Sequence, residues 1–479
     1  MKEIASSQKV SAAPAGARSR YPRYVFSIFF TINLLNYLDR NIFTGASNAI
    51  AKDLGLSLDQ VGYIASAFFV VYTIGTIPLG LWADRAPRKN VAAFCVAIWS
   101  VATAWTSLVS SFLMLFLSRM VLGVGEAGYY PSGTALLSDF YRRDQRARVM
   151  SIWGVAQYIG IFLGFAIGGV LGGLGLWRQA FLVASLPGLL MAFLVWRVRE
   201  PRRNQADEEA MLEEEGRLPS IEKEQPALPA QMTVVKESIF KQCWQLLHIK
   251  TLLVLTVVQI FAFFVLSVNV TYLPLYLQQV DTFHLSQQVT GIYSGGVIVI
   301  AGIIGNLSGG FLSDRLGRRF SGARVLICGL SFLISAPIFV VAVLARDFTV
   351  FTIFLFITVI LFSIYGGPGT AATQDVVPSW LRSSAIAVTV LIAHLFGDAF
   401  APAIIGVIAT NFDPTHGQHF LHNMAGNELG HAILITCTPA LVIAGIVGIV
   451  GARWLKNDVE TATAIEKVGQ TQLSSAAAE

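Results

Sequence analysis

Gly80-Leu81-Trp82-Ala83-Asp84-Arg85-Ala86-Pro87-Arg88-Lys89 returns in the second half of the chain as Gly310-Phe311-Leu312-Ser313-Asp314-Arg315-Leu316-Gly317-Arg318-Arg319. The glycine, the aspartate and both arginines keep their spacing, and each copy closes an apolar run. A second echo follows each copy: Asp139 and Arg146, then Asp375 and Arg382, each pair seven residues apart. Two echoes in the same order indicate a parallel duplication, the layout of transporters with a midplane site between two halves. The loop's residues state its physical task. Gly80 and Gly310 let helices approach, while Asp84, Arg85 and Arg88, like Asp314, Arg315 and Arg318, can pair across helix ends. Together with Asp139, Arg146, Asp375 and Arg382, such pairs can hold one conformation closed. For Arg88 or Lys89 alone, the competing reading is a purely topological role.

Working outward, the 479 residues are 54% hydrophobic and 13% charged, against roughly 25% charged in a soluble protein. Mean hydropathy is +0.62. A chain of this length cannot hide so much apolar surface without lipid as solvent, which excludes a soluble enzyme. A bilayer core about 30 Å thick takes about 20 apolar helical residues. Twelve such spans are predicted: 23–46, 58–81, 90–110, 112–138, 148–172 and 178–197, then 251–277, 289–312, 322–344, 347–375, 383–409 and 430–453. The expected fold is all-α, with two pseudo-symmetric six-helix bundles at 23–197 and 251–454.

Alternate loops carry Arg85, Arg88 and Lys89; Arg142, Arg143, Arg146 and Arg148; Arg315, Arg318, Arg319 and Arg324; and Arg382. The opposite loops offer mainly Lys52, Arg178 and Arg346. The positive-inside rule therefore predicts cytoplasmic termini and a cytoplasmic middle. Residues 1–22 read as a tail without the apolar core of a signal peptide, 198–250 as a solvated linker with an acidic run and Pro219, Pro226 and Pro229, and 455–479 as a second tail. The net charge of +5 and pI near 9.0 reflect this topology, so no nucleic-acid partner is expected. Cys95, Cys243, Cys328 and Cys437 have no CxxC spacing and imply neither disulfide nor metal. His416, His419, His422 and His431 between spans 11 and 12 read as a polar exposed loop and not as a metal site. No cofactor is implied.

Ionisable groups inside spans are costly unless they pair or line a cavity, so each is a functional candidate. Span 1 carries Asn36, Asp39 and Arg40 within one helical turn. Span 4 carries Arg119, Glu126, Tyr129 and Tyr130, with Arg119 and Glu126 on one face, about 10 Å apart along the axis. Pro131 removes one helical hydrogen bond and can free the carbonyl of Ala127. Asp39 and Glu126 are the expected proton-coupling acids, because protonated and ionised forms favour different partners. A static pair of Glu126 with Arg40 or Arg119 is the alternative. Arg40 stays charged and can hold an anionic headgroup or compete with substrate for the carboxylates. His394 and Asp398, one turn apart in span 11, form a second polar set that is either working or a satisfied core pair.

The repeated Gly-x-x-x-Asp-Arg-x-x-Arg-Lys/Arg loop and the twelve-span duplication resemble the major facilitator superfamily over nearly the whole chain. Finer features are Asn36-Tyr37-Leu38-Asp39-Arg40, Gly125-Glu126-Ala127, Trp177-Arg178-Gln179-Ala180-Phe181 and Val377-Pro378 with Leu381-Arg382-Ser383. Most specific is His394-Leu395-Phe396-Gly397-Asp398-Ala399 followed by Pro402 and Ile404-Ile405-Gly406, which is similar to span 11 of Spinster-type lysolipid and sphingolipid transporters. The resemblance implies alternating-access transport of a single-tailed lipid such as a lysophospholipid or sphingosine phosphate, with protons as coupling ion in some members. It matches Asp39, Arg40 and Glu126 to the family's functional positions. Asn36, Arg119, Tyr129, Tyr130, His394 and Asp398 are the further substrate-site candidates. Span 4 departs from the family, with Tyr129-Tyr130-Pro131-Ser132 where a more serine-rich stretch is expected, so the particular lipid stays open.

Two other classes compete: a proton-linked symporter of small organic anions, and a polytopic membrane enzyme, for which no nucleophile or metal cluster is found. Short loops suit a bacterial cell membrane, with organelle membranes as the alternative. Membrane lipids are the only other partners implied, and oligomeric state is not set by the sequence.

Overall fold

Helices run through the predicted segments, with a break inside 112–138, 347–375 and 383–409. In this computed structural model the described residues are 20–202, 205–214, 246, 248–320, 322–378 and 381–476. The side chain of Asp84, Cys243 and the linker prolines lie outside that description, as does most of the N-terminal tail.

The first half comprises α1 (Arg20–Leu54), α2 (Leu58–Arg85), α3 (Arg88–Thr106), α4 (Phe112–Ala127), α5 (Tyr129–Phe140), α6 (Arg143–Gly173) and α7 (Trp177–Arg197). A short helix α8 (Gln205–Glu214) follows. The second half comprises α9 (Lys250–Gln278), α10 (Gln287–Gly317), α11 (Ala323–Leu344), α12 (Phe348–Ser363), α13 (Gly366–Asp375), α14 (Arg382–Ala393), α15 (Ala401–Phe412), α16 (Gln418–Leu421), α17 (Gly426–Gly451) and α18 (Leu455–Ala476). No strand occurs among the described residues.

Caps explain where the spans begin on the face away from the basic loops. Ser57 and Gln60 form a capping box on α2. Ser111 accepts the Met114 amide at α4, Ser286 the Val289 amide at α10, and Asp347 the Val350 amide at α12. Each satisfies an orphan donor of the first turn.

Among the described residues, ten helical runs are long and apolar enough to cross a membrane by themselves. α1 and α3 fall outside that set. α1 carries Asn33, Asn36, Asp39, Arg40, Asn41 and Asn48 and packs against α6 and α7, while α3 packs against α4 and α7. Their polar groups are kept from lipid by neighbouring helices, as intramembrane polarity requires.

Two spans break at matching places. Span 4 divides into α4 and α5 just before Pro131, and span 10 into α12 and α13 just before Pro368. At the first break the Ser132 hydroxyl bonds the carbonyls of Gly128 and Tyr129 at 2.7 and 3.0 Å. The hydroxyl adds a side-chain donor to backbone carbonyls at the break, beside the Ala127 carbonyl that Pro131 leaves without its amide partner. Span 11 divides differently, with a π-helical turn over His394–Asp398 between α14 and α15.

The halves meet through α2 on α15 and α6 on α10. A Cβ on Gly62 would lie 2.4 Å from the Pro402 carbonyl, and one on Gly169 would lie 2.8 Å from the Gly291 Cα. Only glycine permits such backbone contact. Hydrogen bonds between the halves cluster at this same end: Asn48 Nδ2 to Gln278 Oε1 at 2.7 Å, Gln287 Nε2 to the Gly45 carbonyl at 3.2 Å, and the Ala403 amide to Ser66 Oγ at 3.1 Å. Toward the basic loops the halves part around a cavity of about 440 Å³. Its lining includes Gln157 midway along α6, Asn306 in the later part of α10, and Thr370 and Thr373 of α13. Gly80 and Gly310 meet no atom within 4 Å of where a Cβ would stand. Gly310 is nevertheless approached by backbone, since a Cβ on Gly367 of α13 would lie 3.4 Å from its Cα; this conformation is closed at the far end and open at the end of these two glycines.

Candidate functional site

Arg40 on α1 and Glu126 on α4 form the centre of the site. Arg40 Nη2 and Nε reach the same oxygen, Glu126 Oε2, at 2.6 and 3.1 Å. The glutamate side chain is fully buried and Arg40 is 18% exposed. Three rings surround the guanidinium, with centroids of Phe68, Tyr72 and Tyr37 at 4.7, 5.0 and 5.2 Å. A planar, weakly hydrated cation suits such a cage better than an ammonium would. Asn36, one turn before Arg40, stands beside the same carboxylate. Glu126 Oε1 and Asn36 Nδ2 are nevertheless buried without a hydrogen bond of good geometry.

Asp39 and Arg119 occupy the adjoining interior. Asp39 is buried and accepts one bond, from Thr103 Oγ1 at 3.3 Å, leaving Oδ1 unbonded. Arg119 is buried between the rings of Phe43 and Phe181, at 4.7 and 4.9 Å, with Nε and Nη2 unbonded. The two charges are within electrostatic reach but share no hydrogen bond. Of the two partners considered for Glu126, the structure selects Arg40.

The second half contributes through the π turn. His394 Nδ1 lies 2.8 Å from Asp398 Oδ2. The imidazole meets Tyr72 of the first half edge-on at 5.8 Å and Phe263 of α9 at 4.8 Å. Asp398 is within electrostatic reach of Arg40. The fold therefore joins two sets that are more than 350 positions apart in places into one polar cluster bridging the halves. Phe263 also lines the cavity, together with Leu266, Val270, Val359 and Phe362 and the amides of Gln259 and Asn269.

Tyr129 and Tyr130 separate. Tyr129 is 1% exposed, donates to the Phe29 carbonyl at 3.0 Å and packs edge-on against Trp99. It belongs to the packed core of the first half. Tyr130 is 50% exposed and stays accessible.

The basic-face residues pair within each half. Asp139 bonds Arg88 at the start of α3 and does not pair with Arg146. Arg146 instead donates to the carbonyls of Ser138 and Tyr141, both at 3.0 Å, and to Asp207 of α8 at 2.7 Å. The orphan carbonyls at the end of α5 are its natural acceptors. In the second half Asp375 bonds Arg324, with Asp314 4.0 Å from the same guanidinium. Arg318 and Arg382 are exposed, as are Arg85 and Arg315. Extra residues between the motif and α11 put Arg324, and not Arg318, at the helix start that Arg88 occupies on α3.

Thr103, the three rings around Arg40, the two around Arg119, and Arg324 were not identifiable as site residues from spacing. Phe68 and Tyr72, one turn apart on α2, offered the only local signal, an aromatic pair on one face. Which cation that face meets depends on packing.

A model of the Major Facilitator Superfamily matches residues 29–402. Among curated relatives, Protein spinster homolog 1 of Xenopus tropicalis is 27% identical over 467 residues, covering 94% of this chain and 82% of that protein. A probable galactarate/D-glucarate transporter of Bacillus subtilis is 25% identical, covering 69% of this chain and 73% of the other. Among solved structures, a bacterial homolog to the human lysosomal transporter Spinster, in an inward-facing and unoccupied conformation, superposes with a TM-score of 0.78 at 23% identity, covering 93% and 99% of the two chains. With its duplicated loops, all-helical halves and these relatives, the chain belongs to the major facilitator superfamily of membrane transporters, among proteins related to Spinster.

Proposed function

We propose that this protein is a proton-coupled secondary transporter of a single-tailed anionic amphiphile, such as a lysophospholipid or sphingosine phosphate. The carrying observation is Arg40, held by Glu126 within a ring cage whose Tyr72 meets His394, which in turn packs on Phe263 of a cavity with mostly apolar walls. An anionic headgroup replaces Glu126 as the partner of Arg40 when the glutamate takes a proton. Charge stays balanced, since one proton and one headgroup charge enter together. Asp39 serves as the second titrating acid, beside Arg119. His394 and Asp398 read the substrate from the second half. With the basic loops, linker and termini on the cytoplasmic side, the cavity faces the cytoplasm and the glycine contacts close the far side. The basic-face pairs Arg88 with Asp139 and Arg324 with Asp375 brace each half as it rocks.

A compact site for a small organic anion is the second reading. The relative described for galactarate/D-glucarate and the two guanidinium groups inside the first half, Arg119 buried and Arg40 partly so, favour it.

Uptake into proteoliposomes separates the two. Labelled lysophospholipid or sphingosine phosphate is compared with galactarate, with and without an imposed pH gradient. Gradient-driven lipid movement that Glu126→Gln and Asp39→Asn abolish is the expected result. Full accumulation in both variants removes the coupling role. Galactarate uptake without lipid movement transfers Arg40 to carboxylate binding in a sugar-acid symporter.

A further inference from the structure

On the outer surface of the first half, away from the central cavity, α2, α3 and α7 enclose a groove of about 530 Å³ lined by Trp82, Asn90, Ala93, Phe94, Ala97, Ala192, Phe193 and Trp196. Its shape follows from helical spacing. Asn90, Ala93, Phe94 and Ala97 lie at i, i+3, i+4 and i+7, one face of α3. Ala192, Phe193 and Trp196 form the facing stripe of α7. Alanines make the floor, and aromatic side chains make the walls, with Trp82 edge-on against Phe94 at 5.3 Å.

The groove lies where spans end. One apolar run stops at Ala83 and another at Arg197, so Trp82 and Trp196 stand at the level where tryptophans anchor helices at a membrane interface. Both are exposed, as are Phe94 and Phe193. The rim toward the basic loops is cationic. The Arg197 guanidinium lies over the rings of Phe193 and Trp196, at 5.1 and 5.7 Å, and Lys89 precedes Asn90. Glu200, an acid at this end of α7, is already bound to the backbone amides of Arg88 and Lys89, at 2.7 and 3.0 Å. An apolar trough at the bilayer edge, with a cation and an amide at its polar end, complements one acyl chain and one phosphate.

We propose that this groove binds an anionic phospholipid of the surrounding leaflet, its chain along Ala93, Ala97 and Ala192 and its phosphate against Arg197 and Asn90. The site is distinct from the central cavity. It adjoins the Gly80 to Lys89 loop through Trp82, so an occupied groove supports the end of α2 against α3.

The test uses the full-length protein in phosphatidylcholine nanodiscs carrying trace phosphatidylglycerol with a diazirine-bearing chain, and crosslinks are mapped by peptide mass spectrometry. Crosslinks concentrated on Trp82, Phe94, Phe193 and Trp196 are expected, displaced by unlabelled phosphatidylglycerol and not by phosphatidylcholine. Arg197→Gln, at an exposed position, lowers that labelling about five-fold, the worth of one cation facing an anionic headgroup. Ala97→Phe fills the trough and removes the labelling while leaving labelling elsewhere unchanged. Labelling spread evenly around the belt, equal competition by phosphatidylcholine, or full labelling of both variants overturns the proposal. Labelling confined to the central cavity overturns it as well.

Discussion

Both Nη2 and Nε of Arg40 bond one oxygen of Glu126, at 2.6 and 3.1 Å, leaving the second oxygen of that buried carboxylate without a hydrogen bond. Lysine cannot reproduce this fork or stack within the cage of Tyr37, Phe68 and Tyr72. Arg40→Lys is expected to lower transport at least about tenfold, since one lost charge-assisted bond exceeds about 1.4 kcal/mol. Arg40→Ala strands Glu126 and destabilises the fold by about 3–5 kcal/mol, whereas Arg40→Ala with Glu126→Ala recovers much of that loss. Thermal unfolding of the three purified variants checks the order, and equal midpoints for the single and double alanine variants would sink it.

The contact of Gly62 with the Pro402 carbonyl holds the far face shut, because a Cβ there would come within 2.4 Å of that oxygen and 2.6 Å of the Tyr272 hydroxyl. Gly62→Ala is expected to weaken this closed state by about 1–3 kcal/mol through overpacking. Spin labels at Leu176 and Val280, both exposed on that face, should report a longer distance population by pulsed electron resonance. Gly80→Ala, which meets open space, should leave the present population in place.

Arg324 is expected to matter more than Arg318, although the repeat motif marks the latter. Arg324 bonds Asp375, and Arg318 is exposed. Arg324→Ala should reduce transport several-fold and Arg318→Ala should change it little. A charge swap, Arg324→Asp with Asp375→Arg, should restore part of the loss through a coupling of about 0.5–3 kcal/mol. Equal defects in the two single alanine variants would contradict the assignment.

Asp413 lies just beyond the end of α15 and accepts the Thr415 hydroxyl and amide at 2.6 and 2.8 Å and the Gly417 amide at 2.7 Å. Burial alone pushes its carboxyl upward, but these bonds and nearby His419 hold it below the ordinary range. A depressed value means that its stabilisation is present above the ordinary carboxylate pKa, about 3.9, and is lost as pH falls through the lower folded value. Hydrogen exchange of residues 413–421, corrected for intrinsic rate, should stay protected from neutrality to about pH 4 and loosen below it. Loss of protection already near pH 6 would contradict control by Asp413. Asp413→Ala should cost the loop about 1–3 kcal/mol at neutral pH.

The sequence by itself determined the duplicated membrane architecture, the placement of its helices and the short set of intramembrane charges. Those features are legible because hydrophobic length and the cost of a charge in lipid act locally along one helix. Tertiary structure decided the partners. It gave Glu126 to Arg40 and left Arg119 between Phe43 and Phe181. It set Asp139 on Arg88, Asp375 on Arg324, buried Tyr129 in the core, and brought His394 against Tyr72. Each of these depends on the rotation of one helix against another. A residue's direction turns by about 100° per position, and an ion pair weakens quickly once its atoms leave contact.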